Sequence, residues 1–213
     1  AIKEITSTIS IGNNTELIFN EISSYNEDGR LNCKNVVGLS NFKADLVDFS
    51  ISNAFLIPSV TYRTDFARSI QGFKSREELP QSEDSDFIRR LCLICKHYCI
   101  IKKPLAKQNL RANSHSHSNQ KDVWISGYIS LYYIKDNLME KNLSTYAKKM
   151  YDIGIRLLEN KSFSYSKKAF IEAKITIKNP TSLIDNRLKR TLSSLIGIYY
   201  AEILAYSLRK IKI

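Results

Sequence analysis

The spacing of apolar residues changes character near residue 80, and that change constrains the fold more than any other feature of the chain. Before it, short apolar runs stand between turn residues: Glu16-Leu-Ile-Phe19, Val36-Val37, Leu46-Val-Asp-Phe-Ser-Ile51 and Ala54-Phe-Leu-Ile57, punctuated by Asn13-Asn14, Asp28-Gly29, Gly38 and Pro58. Runs of this length bounded by Gly, Pro, Asn and Asp predict strands and hairpins. After it, Gln81-Ser-Glu-Asp-Ser-Asp86 offers capping oxygens and first-turn carboxylates for a helix through Ile101, with Pro104 beyond its end. Apolar residues at 124, 125, 128, 131 and 132, and then Leu188, Leu192, Leu195, Tyr199 and Ile203, recur at helical intervals, with Gly197 placed to divide the last segment. The most polar stretch, residues 107–121, predicts a surface loop carrying His115 and His117. Together these patterns predict an α+β (or α/β) fold: a strand-rich part over 1–80 and a helix-rich, basic part over 81–213, around a small mixed sheet.

At 213 residues and 43% hydrophobic, the chain can bury a substantial core. No apolar run approaches the roughly 20 residues that cross a bilayer, and the first residues, Ala-Ile-Lys-Glu-Ile, lack a signal-peptide profile. The expectation is a soluble intracellular protein, cytoplasmic or carried in a virion. Cys92, Cys95 and Cys99 fall close together with His97 among them, and Cys-x-x-Cys is half of a thiolate zinc pattern. The same cysteines share a helical stripe with Phe87, Leu91 and Tyr98, where a free thiol acts as a small hydrophobe, and no second Cys-x-x-Cys follows. Neither zinc nor a disulfide framework is expected.

Charge divides the chain unevenly. Residues 1–99 carry 11 basic and 13 acidic side chains, net −2, whereas residues 100–213 carry 21 and 8, net +13. A field of that sign draws in polyanions, and Lys and Arg contacts to phosphate supply most non-specific nucleic-acid affinity. Arg187, Lys189 and Arg190, at the start of the last helical segment, and Lys167 and Lys168 are the candidate phosphate contacts.

Two segments in the basic half carry a pattern suited to metal chemistry. Asp152 heads the run Asp-Ile-Gly-Ile-Arg-Leu-Leu, and Glu172-Ala-Lys174 lies inside Ala-Phe-Ile-Glu-Ala-Lys-Ile. If both runs are strands, residues two apart share a face, so Glu172 and Lys174 project together and Asp152 can stand opposite them. Two carboxylates suit a hard cation, and a lysine can act on the attacking water. Gly154 and the β-branched Ile175-Thr-Ile177 favour strands, with the polar residues 159–168 as a hairpin loop. The competing pattern is helical: Tyr146, Met150, Ile153 and Leu157 also fall at helical spacing, and Glu-Ala-Lys is good helix sequence.

Over residues 145–178 these positions resemble the core of the PD-(D/E)xK nuclease superfamily, although Tyr151 stands where that family has proline. The resemblance implies magnesium held by Asp152 and Glu172, with Lys174 catalytic and Glu140 an accessory acid. The expected function is therefore nucleic-acid binding with magnesium-dependent endonuclease activity. The alternative is a non-enzymatic basic structural protein of viral nucleocapsid, matrix or coat type, and a third reading is a replication or transcription factor. DNA and RNA are not distinguished, and homo-oligomerisation is left open.

Overall fold

A computed structural model describes residues 5, 14–42, 45–111, 119–177, 180–184 and 186–211. Among them are eight α-helices and a mixed sheet of four strands, an α+β fold. The chain forms two compact units, residues 1–118 and 119–213. The boundary thus falls at 118/119 rather than near 80.

In the first unit, strand β1 (Leu17–Tyr25) organises the sheet. It pairs antiparallel with β2 (Leu31–Cys33) near its C-terminus and with β3 (Val60–Tyr62) near its N-terminus. Along its other edge runs β4 (Tyr98–Asn109), parallel to it. Being covered on both sides, β1 buries polar side chains along with Leu17, Phe19 and Ile22, and each buried polar group needs a partner. The Glu21 carboxylate accepts the N–H of Val37, at 3.0 Å, and of Leu39; the chain turns between them at Gly38 with φ 75°, a value only glycine adopts without strain. Asn20 Nδ2 donates to the Pro58 carbonyl at 3.2 Å, and Ser23 Oγ to that of Lys34 at 3.2 Å. Helices α1 (Leu46–Ser52), α2 (Thr64–Ser69) and α3 (Glu83–Ile94) accompany the sheet, with Phe49 of α1 and Phe87, Ile88 and Leu91 of α3 in one core with Leu17, Phe19 and Phe55.

Two sequence expectations are corrected here. Leu46–Ser52 is a helix, not a strand, because the Asp45 carboxylate caps it by accepting the Asp48 N–H at 2.9 Å and Leu46, Phe49 and Ser50 turn inward at helical spacing. The helix expected to reach Ile101 stops at Ile94: Glu16 captures the N–H groups of Lys96 and His97, at 2.6 and 3.1 Å, and Tyr98 onward joins β1.

The second unit is helical: α4 (Gln120–Ile134), α5 (Leu143–Glu159), α6 (Phe163–Thr176), α7 (Arg187–Ile196) and α8 (Ile198–Ile211). Residues 152–158 and 169–177, expected as paired strands, instead lie in α5 and at the end of α6. The cause is packing. Tyr146, Ala147, Met150, Ile153, Gly154, Leu157 and Leu158 are buried at spacings of three and four, so only a helix turns them all to one side. Gly154 is a point of close approach: a Cβ there would lie 2.9 Å from the Phe170 ring, and Ser166 Oγ donates to the Gly154 carbonyl at 2.8 Å. The turn into α6 has the Schellman pattern, Ser162 N–H to Leu157 O at 2.8 Å and Lys161 N–H to Leu158 O at 3.0 Å, with Lys161 itself at φ 58°. Ile177, at φ −123° and ψ 146°, ends α6, so the β-branched run closes the helix rather than forming a strand. Gly197, at φ 85°, separates α7 from α8 as the sequence suggested.

Candidate nucleic-acid interface

The helices disperse the residues of the nuclease pattern. Asp152 is exposed on the outer stripe of α5 with Ser144, Lys148 and Arg156, and it lines a cleft of about 410 Å³ with Lys148, Ser182, Asn186 and Lys189. Glu172 points the other way: only 5% exposed, it binds Lys135 Nζ at 2.5 Å and accepts the Tyr146 hydroxyl at 3.4 Å. Burial, with Glu172 beside it, pushes the Tyr146 hydroxyl well above the usual phenol range, so this proton stays in place. Lys174, two positions on, lies about 200° around the helix and is exposed. Glu140 is exposed in the 3-10 turn Glu140–Asn142. The shared face that Asp152, Glu172 and Lys174 needed does not form, since residues two apart share a face on a strand and separate on a helix. Among the described residues no three His, Cys, Asp or Glu side chains gather as a metal site.

The expected phosphate contacts divide. Lys189 reaches both oxygens of the buried Glu202 at 3.0 Å, and the Tyr151 hydroxyl donates to the same carboxylate. Arg190 donates twice to the Ile184 carbonyl, at 3.1 and 2.8 Å, fastening the preceding 3-10 turn to α7. These two cations hold the fold together. Arg187 opens α7, whose N-cap is Asn186, accepting the Lys189 N–H at 3.1 Å. Lys167 and Lys168 remain on the surface, Lys168 Nζ standing 5.1 Å from the Tyr165 ring centre. His115 and His117 lie outside the described residues.

A different basic surface emerges in the first unit. Between Asp86 and Asp122 the chain contains eight Lys and Arg residues and no carboxylate. Arg89 is buried and donates to the Ser50 carbonyl at 3.2 Å, while Arg90 is clamped by Asp86 at 2.8 Å and by the Ile70 and Gly72 carbonyls, both at 2.7 Å. Lys96, Lys102, Lys103, Lys107 and Arg111 are exposed along β4 and its two ends. Register explains why two of them are adjacent and both outward. Asn20 of β1 pairs with Ile101 and Glu21 pairs with Pro104, so Lys102 and Lys103 are squeezed out as a bulge. Pro104 lacks an N–H and is tolerated at this irregularity on the strand pairing only with β1 among the described residues. Lys107 Nζ stands 5.4 Å from the Tyr25 ring centre.

The start of β4 is fixed by Glu16. Burial, the largest single influence, raises its pKa, but the Lys96 and His97 N–H groups, with Cys95 and His97, together outweigh it and hold the carboxyl below its usual range. The neighbouring thiols stay neutral: burial pushes Cys92 up, and burial together with Glu16 pushes Cys95 up to about 12. The four cysteines are free. The missed signal in the sequence was the acid-free interval, which a charge count over halves of the chain averages away. No protein-family model, curated protein or solved structure matches the chain.

Proposed function

We propose that the protein binds nucleic acid through the basic edge of β4, as a binding or packaging protein of the structural type rather than through the Asp152, Glu172 and Lys174 chemistry. The observation that carries this reading is the exposure of Lys102, Lys103 and Lys107 on a strand of 12 residues, about 40 Å long, with Lys96 and Arg111 just beyond its two ends and no carboxylate in this interval of the sequence. A one-signed row on that length scale suits a phosphate backbone, whose charges repeat every ~3.4 Å along each strand of a duplex. Lysines also protect edge strands from pairing; the bulged pair Lys102 and Lys103 exceeds that need.

The test is a fluorescence-anisotropy titration at several salt concentrations. Five phosphate contacts give a log-log salt slope of about −3.5 on single strands and about −4.5 on duplex. The variant Lys102→Gln/Lys103→Gln/Lys107→Gln is expected to flatten the slope by roughly 2 to 3 while leaving the fold intact. An unchanged slope would remove β4 from the interface. Magnesium-dependent cleavage abolished by Lys174→Ala would reinstate the hydrolytic reading.

A further inference from the structure

Helix α6 presents a second, chemically different surface. On a wheel of ~100° per residue, its exposed side chains fall at about 0° (Phe163), 20° (Lys174), 40° (Lys167), 80° (Ile171), 100° (Ser164), 120° (Ile175) and 140° (Lys168). Phe163 and Ile171 are each 48% exposed and Ile175 is 63% exposed. Ile171 and Ile175, with the small Ser164 between them, therefore form the middle of the outer face, with Lys167 and Lys174 on one side and Lys168 on the other, and Phe163 lies beyond the Lys167 and Lys174 edge. Lys161, exposed in the turn before the helix, adds a further cation at the Phe163 end. The helix's sole acid, Glu172, is turned inward onto Lys135.

We infer that this face of α6 docks on an anionic lipid bilayer, lying parallel to it, with Ile171 and Ile175 entering the boundary between headgroups and acyl chains, Phe163 at the side of the face, and the flanking lysines reaching the lipid phosphates. Interfacial helices have this composition: an apolar stripe that sinks ~5–10 Å, edged by cations whose stems follow the apolar surface while their heads stay in the headgroup layer. Nucleic acid is a poorer occupant, because its backbone offers nothing to two isoleucines and its bases stack on flat aromatic rings. The inference does not rest on the β4 reading, as the residues involved belong to the other unit.

The experiment is co-sedimentation of the full chain with vesicles of phosphatidylcholine alone and of phosphatidylcholine with 30% phosphatidylserine, the fold of each variant being checked by circular dichroism. Binding is expected on the anionic vesicles and not on the neutral ones. Lys167→Gln/Lys168→Gln/Lys174→Gln should weaken it by about a hundredfold, taking roughly fivefold per lysine near an anionic surface. Ile171→Asp/Ile175→Asp should also abolish it while leaving nucleic-acid affinity unchanged. Because all five positions are exposed, these variants are expected to fold. Absence of vesicle binding, or full binding by the isoleucine variant, would overturn the inference. So would capture of an acidic protein by this face without any vesicle binding. The β4 glutamine variant should bind anionic vesicles normally, so failure of either reading is visible without the other.

Discussion

Substituting alanine for two helical glycines should have opposite effects, and the difference can be worked out from what a methyl group would meet. In the middle of a helix, Gly→Ala gains about 1 kcal/mol from propensity alone. At Gly127 in α4 the added Cβ would lie 3.5 Å from Ile153 Cδ1, an ordinary contact, so Gly127→Ala should stabilise by about 1 kcal/mol. At Gly154 in α5 the Cβ would lie 2.9 to 3.0 Å from three carbons of the Phe170 ring. That ring is 1% exposed, edge-on to Tyr151 at 5.4 Å between centres and near Tyr199 at 6.3 Å, so it has little room to retreat. Overpacking of this kind costs roughly 1–3 kcal/mol; with the ring held on two sides the upper end applies, and Gly154→Ala should be destabilising by about 1–2 kcal/mol net. Urea unfolding followed by circular dichroism should separate the two variants by about 2–3 kcal/mol. Trimming the ring supplies an internal control: Gly154→Ala should cost at least ~1 kcal/mol less in a Phe170→Leu background than in the native one. Equal stabilisation by both alanines, or no coupling to Phe170, would refute the claim that α5 and α6 meet at this glycine.

The ion pairs and the β4 anchor give two further tests. Lys189→Ala strands the Glu202 carboxylate, whose side chain is 1% exposed, with the Tyr151 hydroxyl, and should cost about 3 kcal/mol in denaturant unfolding, whereas Glu202→Gln keeps hydrogen-bonding capacity and should cost less. A neutral Lys189→Ala that instead weakens nucleic-acid binding would show that this lysine serves the surface. For Glu16 the folded pKa lies below its ordinary value of 4.5, so its contribution is present above that pH and is lost as pH falls through the folded value. Amide exchange at Lys96 and His97 should accordingly accelerate more steeply under acid in the native chain than in Glu16→Gln, and parallel acid dependence in the two would refute the anchor.

What could be read from the sequence was local, and what could not was set by contacts far away in the chain. The strand at Glu16–Phe19 began where expected, α4 and the last helical segment followed their apolar periodicity, and Gly197 divided that segment. Strand β4 is different: its partner lies about 80 positions upstream, and Cys99-Ile-Ile101 reads as a helix end until β1 is beside it. The pair α5 and α6 was misread for another reason. Gly154 weakens a helix in isolation, so it favoured a strand, yet it is present because Phe170 occupies the space of its missing Cβ. The helical spacing of Tyr146, Met150, Ile153 and Leu157 was equally visible and was the correct guide, since burying a whole stripe outweighs ~1 kcal/mol of propensity.

Net charge misled in a related way, because it sums residues that the fold assigns to different tasks. The second unit holds 17 basic and 8 acidic residues, but Lys135 and Lys189 are spent on Glu172 and Glu202, and Arg190 on a carbonyl. The first unit totals only +2, from 15 basic and 13 acidic residues, and looks unremarkable as a sum. Divided at Asp86 it is strongly polar along the chain: residues 1–86 carry 8 basic and 13 acidic side chains, net −5, and residues 87–118 carry 7 and none, net +7. Arg89 and Arg90 bond within the unit, and the other five are exposed along β4 and at its two ends. In the fold the two signs are not kept wholly apart: the Glu16 carboxylate accepts the Lys96 N–H at the start of β4, and Glu27 lines a hollow with Arg111 at its end. Exposed charge acts chiefly on encounter, so on the proposed β4 reading neutralising Lys102, Lys103 and Lys107 should lower the association rate with nucleic acid more than it raises the dissociation rate.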